Sequence, residues 1–88
     1  MLYVKASKSM ESVAKKDERF IERFIKREIL NQQKISKENE TPTMCYVVHM
    51  DEEKMNKIKR LERIINSRAH NLFFIRVHEE SYDVFWKE

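Results

Sequence analysis

The 88-residue chain contains no glycine and a single proline, Pro42, and this absence constrains it more than any residue it does contain. Glycine supplies positive φ and close approach of the backbone to a ligand. The Walker loop, the dinucleotide-binding fingerprint, the nucleophile elbow and the EF-hand all need it. Enzymes that cradle a nucleotide in one of the usual ways are therefore excluded. A tight primed hairpin turn is also disfavoured, so strands must be joined by longer loops or by helices.

Within those limits the chain still has the material for one core. Hydrophobic residues make up 41% and charged residues 38%, with one tryptophan, three tyrosines and five phenylalanines. That balance fits a folded domain under a heavily charged surface rather than a disordered tail. The length leaves no room for a second core, so residues 1–88 are expected to form a single domain. The one cysteine, Cys45, can form no internal disulfide, which suits a reducing compartment, and it reads as a small buried hydrophobe. No apolar run approaches the ~20 residues that span a bilayer, and Met1 to Lys5 carries no signal-peptide pattern. A cytoplasmic location with no membrane partner is the expectation.

Leu2, Val4 and Ala6 alternate with Tyr3, Lys5 and Ser7, the period of a half-buried strand. Ser7 to Ser9 offer helix-capping hydroxyls. From Met10 the apolar residues recur at helical spacing through Val13, Ala14, Phe20, Ile21, Phe24, Ile25 and Ile29, predicting a helix to about Lys34. Asp17 falls on its apolar stripe, so a break there is an equal alternative. Ile35 to Thr43, polar and holding Pro42, reads as a loop. Met44 to Met50 is apolar on both alternating faces and predicts an interior strand. Asp51 should cap a second helix through Met55, Ile58, Leu61, Ile65 and Ala69, ending near His70 and Asn71.

The last residues read as a hairpin. With Glu79 and Glu80 at the tip, Val77 faces Tyr82, Ile75 faces Val84 and Phe73 faces Trp86. Arg76 then faces Asp83 and Phe74 faces Phe85 on the other side. Without glycine the tip is expected to be a four-residue loop from His78 to Ser81.

The order strand, helix, strand, helix, strand, strand predicts a two-layer α+β or α/β fold. Its small mixed sheet carries both helices on one face, and the helical crossovers favour parallel pairing. The other face, with Tyr46, Val48, Phe74 and Phe85, is then left for a partner, and Tyr46, Phe74 and Phe85 are candidates for a protein interface, most simply in a homodimer.

The strongest functional pattern is on the first helix. Projected at about 100° per residue with Ile21 at the centre of the apolar stripe, Lys15, Lys16, Arg19, Arg23, Lys26, Arg27 and Lys34 gather on the opposite side. Only Glu22 lies among them, while Asp17, Glu18 and Glu28 fall toward the apolar side. The second helix adds Lys57, Lys59, Arg60 and Arg63. Such a stripe suits a phosphate backbone, because clustered cations displace condensed counterions together. The same faces could simply be solvated charge. The net charge is only +3, since Glu79, Glu80, Asp83 and Glu88 make the hairpin acidic. It is the asymmetry that carries the expectation.

Aromatic residues on the sheet offer a stacking platform for single-stranded RNA, although no stretch matches the glycine-containing RNA-recognition pattern and core or interface roles are commoner for them. His49, Glu79 and Arg76 are the residues a metal-independent ribonuclease would use as base, acid and cation, but nothing in their spacing forces them together. Cys45 and His49 do not make a zinc site, and no metal or cofactor is implied.

The expectation is thus a small non-enzymatic binding or regulatory protein. It is expected to bind RNA or single-stranded nucleic acid through the basic helix faces, with a nucleic-acid-handling protein as a candidate further partner. The alternative is an inhibitor of a nuclease or toxin whose stripe meets an acidic protein surface. The bias toward Lys, Ile, Asn, Glu and Phe with few Ala suggests an AT-rich genome such as that of a bacteriophage.

Overall fold

The computed structural model describes residues 13–87, so the strand expected over Leu2 to Ala6 and the helix start at Met10 lie outside the described residues. Helix α1 runs Lys15–Asn39, strand β1 Cys45–His49, helix α2 Glu52–Arg68, strand β2 Phe73–Val77 and strand β3 Ser81–Trp86. Both helices pack on one face of the sheet. Their apolar stripes meet the inward residues of the strands in one cluster: Ile21 and Phe24 from α1, Met55, Ile58, Leu61 and Ile65 from α2, Phe73, Ile75, Tyr82 and Val84 from the hairpin. Phe24, Ile58, Ile65, Phe73, Tyr82 and Val84 have no measurable exposure. Truncating a side chain such as Phe24 or Ile58 here costs about 2–5 kcal/mol.

The hairpin register is the one the alternation predicts: Phe73 with Trp86, Phe74 with Phe85, Ile75 with Val84, Arg76 with Asp83 and Val77 with Tyr82. Its tip is closed by the His78 N–H donating to the Ser81 carbonyl at 2.8 Å. No residue of the tip has positive φ, so the turn is not a primed one.

The sheet order β1-β3-β2 corrects two expectations. Every pairing among the described strands is antiparallel. β1 and β2, joined by the α2 crossover, do run parallel to each other, as such a connection requires, but β3 lies between them and pairs with both. β1 is consequently an edge of the described sheet rather than an interior strand, because the chain's last strand returns to take the central place. The opposite edge, β2, is covered by α2. Asn66 donates to the Ile75 carbonyl at 3.1 Å and accepts from its N–H at 2.7 Å, and Glu62 accepts from the Val77 N–H at 3.4 Å. Outward backbone groups that would otherwise template another strand are thereby satisfied.

α1 begins only at Lys15, with Val13 and Ala14 non-helical ahead of it, which corrects the helix expected to pass through them from Met10; from Lys15 it runs unbroken through Asp17 and continues past Lys34 to Asn39. The segment expected to be loop from Ile35 keeps helical form because Lys, Ser, Glu and Asn are not helix breakers. Its last turns also hold the returning chain: the Ser36 hydroxyl accepts from the Thr43 N–H at 2.8 Å, and Gln32 donates to the Thr43 carbonyl at 3.1 Å. The helix stops at Glu40, whose φ of 58° is left-handed, a place glycine would normally occupy. α2 begins as predicted, with Asp51 accepting from the Lys54 N–H at 2.9 Å, and ends at Arg68 on buried Ala69.

Candidate nucleic-acid interface

Asp17 and Glu18 occupy the first turn of α1 and turn toward α2. Arg60 forks onto Asp17 with bonds of 3.0 and 3.2 Å. Arg68 does the same to Glu18, one bond being 2.9 Å. The Arg60 guanidinium holds the Asp17 carboxyl below its ordinary range against the opposing effect of burial, and Arg68 does so for Glu18. Asp17 is thus an acid on an apolar stripe that has found a cation on the neighbouring helix.

The third inward acid, Glu28, is completely buried. One carboxyl oxygen accepts from the Tyr46 hydroxyl at 2.7 Å and the other from the Tyr82 hydroxyl. Burial pushes both phenols well above their ordinary pKa, and the adjacent Glu28 adds to the shift. Tyr46 is therefore not on the open sheet face. The alternation of β1 sends Tyr46 and Val48 toward the helices and leaves Cys45, Val47 and His49 exposed. That corrects the expectations of Tyr46 as an interface residue and Cys45 as a buried one.

These inward pairings leave the outer face of α1 uncompensated. Lys15, Lys16, Arg19, Arg23, Lys26, Arg27 and Lys34 are all exposed, and none takes part in an ion pair among the described residues. Of the acids of α1, only Glu22 and Glu38 remain exposed. From Lys15 to Lys34 the stripe extends about 28 Å along the helix.

The cations of α2 are used differently. Arg60 serves Asp17. Lys57 is half-buried with its ammonium 4.9 Å from the centre of the Phe20 ring, a cation–π contact that ties α2 to α1. Both were expected at a nucleic-acid surface, and both act first as links between the helices. Arg63 is exposed and unpaired among the described residues.

The aromatic residues lie away from the stripe. Phe74 and Phe85 stack at 4.9 Å on the face opposite the helices, with the Arg76 guanidinium 5.4 Å from the Phe85 ring. Phe74 is 39% exposed and Val47 of the same face 56%.

His49 and Glu79 come together in an open cleft of about 560 Å³ with Glu52, Lys59 and Glu80, but Arg76, the third residue of the ribonuclease triad, is committed to the sheet face. His78 instead pairs with Asp83 at 2.8 Å. Cys45 and His49, four residues apart on one strand, are separated by about 13 Å. Among the described residues no cluster of three or more His, Cys, Asp or Glu side chains could hold a metal ion, and no helix is long and apolar enough to cross a membrane.

No protein family, curated protein or solved structure matches the chain.

Proposed function

We propose that this protein is a small non-enzymatic regulatory module that binds nucleic acid by its backbone phosphates through the outer face of α1. The observation that carries this reading is the division of labour among charges on α1. Its inward acids are taken up by Arg60, Arg68, Tyr46 and Tyr82, while its seven outward cations are exposed and form no ion pair among the described residues. Uncompensated cations at fixed spacing along a helix repel one another, and an anionic polymer relieves that repulsion while releasing its counterions.

The test replaces Arg19, Arg23, Lys26 and Arg27 with Gln. These side chains are exposed and unpaired, and Gln keeps a long stem and good helix propensity, so the melting temperature should hold. Affinity for RNA or DNA at low salt should fall by a factor of ten or more. Equal affinity in parent and variant, or no binding by the parent, rejects the reading.

The exposed Val47 and Phe74, with half-buried Phe85 stacked beside Phe74, favour a second reading, an inhibitor that docks on a protein. A protein that co-purifies with the parent and with the quadruple variant alike, but not with Phe74→Lys, would support it.

A further inference from the structure

Resting on the nucleic-acid reading of α1, we propose that its occupant is a B-form DNA duplex, with the helix seated in the major groove. The cations are spread over an arc of about 120° around the outer face rather than along a single line. At about 100° per residue they fall on two flanks: Lys15, Arg19 and Lys26 on one, and Lys16, Arg23, Arg27 and Lys34 on the other. On the ridge between the flanks, directly opposite buried Ile21, stands Leu30, which is 64% exposed. A groove presents a row of phosphates on each side of a floor of base edges. Two cationic flanks about an uncharged ridge match that arrangement, whereas one flexible strand would engage a single row.

Size agrees with this seat. An α-helix with its side chains is about 10–12 Å across, and the B-form major groove is about 12 Å wide. The corresponding groove of an RNA duplex is too narrow and deep to admit a helix.

The disposition of the aromatic rings points the same way. Proteins that hold single strands combine cations with rings on which bases stack. Among the described residues no aromatic ring is exposed on the outer face of α1. Phe20, at its margin, is half-buried, packed against Phe24 and capped by Lys57. Phe74 and Phe85 are on the far side of the sheet from the helices, where they stack on each other. A strand following the stripe cannot reach them.

The experiment measures anisotropy at low salt with four fluorescent probes of about 20 nucleotides per strand: a DNA duplex, an RNA duplex of the same sequence, and the single strands of each. The parent is compared with two flank variants, one with Lys15, Arg19 and Lys26 changed to Gln, the other with Arg23, Arg27 and Lys34 changed to Gln. The DNA duplex should bind at least about tenfold more tightly than the other probes, and each flank variant should lose about tenfold or more on it. Single strands binding as tightly as the DNA duplex, or an RNA duplex binding more tightly, would overturn the groove assignment while leaving nucleic-acid binding intact. So would loss confined to one flank. Failure of every probe to bind would remove the nucleic-acid reading itself.

Discussion

Replacing Tyr82 with Phe removes one oxygen atom and tests how the buried carboxyl of Glu28 is tolerated. The ring remains in contact with Phe24, whose centroid is 5.4 Å away, so apolar burial hardly changes. What is lost is the hydroxyl that donates to Glu28, in a place no water reaches from the surface, since Tyr82 and Glu28 both have zero exposure. Leaving a buried acceptor short of a donor costs about 1–3 kcal/mol. In a domain of this size each kcal/mol moves the midpoint by about 4–8 °C, so the melting temperature should drop by about 5–20 °C. Tyr46→Phe removes a bond of 2.7 Å to the same carboxyl, but Tyr46 is only partly buried where Tyr82 is wholly so, so the loss should be smaller. Thermal melts followed by circular dichroism give both values. In a double-mutant cycle with Glu28→Leu, the second substitution should cost much less once the first is made, with a coupling of about 1 kcal/mol or more. A Tyr82→Phe protein melting within about a degree of the parent, or strictly additive losses, would refute the reasoning.

The same cluster sets an upper pH limit. Tyr46 and Tyr82 have folded pKa values raised above the ordinary 10.0, so their contribution is complete below pH 10 and is lost as pH rises further; Asp17 and Glu18, lowered from 3.8 and 4.5, contribute above those values and lose their effect as pH falls below them. Stability against urea should therefore be flat between these limits, and an alkaline limb unchanged in the Tyr46→Phe, Tyr82→Phe protein would contradict the assignment. Glu40→Gly should stabilise by about 0.5 kcal/mol, because relief of the left-handed strain outweighs the added freedom of the unfolded chain; a lower melting temperature than the parent's counts against it. Self-association through the open sheet face predicts a species larger than 10.8 kDa in sedimentation at micromolar concentration, converted to monomer by Phe74→Lys. A monomeric parent would end that proposal.

The parts of this fold that were legible in the sequence are those in which neighbours in sequence decide. The hairpin register follows from alternation alone, and Asp51 announces its helix. The place of β3 between β1 and β2 was not legible, because a period of two specifies faces and not neighbours. For the same reason the sequence does not orient Tyr46: both faces of β1 are apolar, and alternation alone does not say which of them meets the helices. The stripe on α1 was visible as a helical projection, and its residues are exposed as that projection requires. What made it distinctive was hidden. Asp17 and Glu28 stood out as acids on an apolar face, yet their partners Arg60 and Tyr82 are 43 and 54 residues away, and only tertiary packing reveals that these acids are spent inside the fold. Lys57 and Arg60 looked like further members of the basic surface because sequence shows charge but not engagement.

The claim that the α1 cations contact phosphates is tested most directly by the salt dependence of binding to a DNA duplex. For the parent, log affinity should fall linearly with log salt. Changing Arg19, Arg23, Lys26 and Arg27 to Gln should make that slope shallower by about 0.9 for each contact removed, or about 3 to 4 in all. A slope identical in parent and variant, whatever the affinities, would mean that these four side chains do not touch the backbone and would contradict the account.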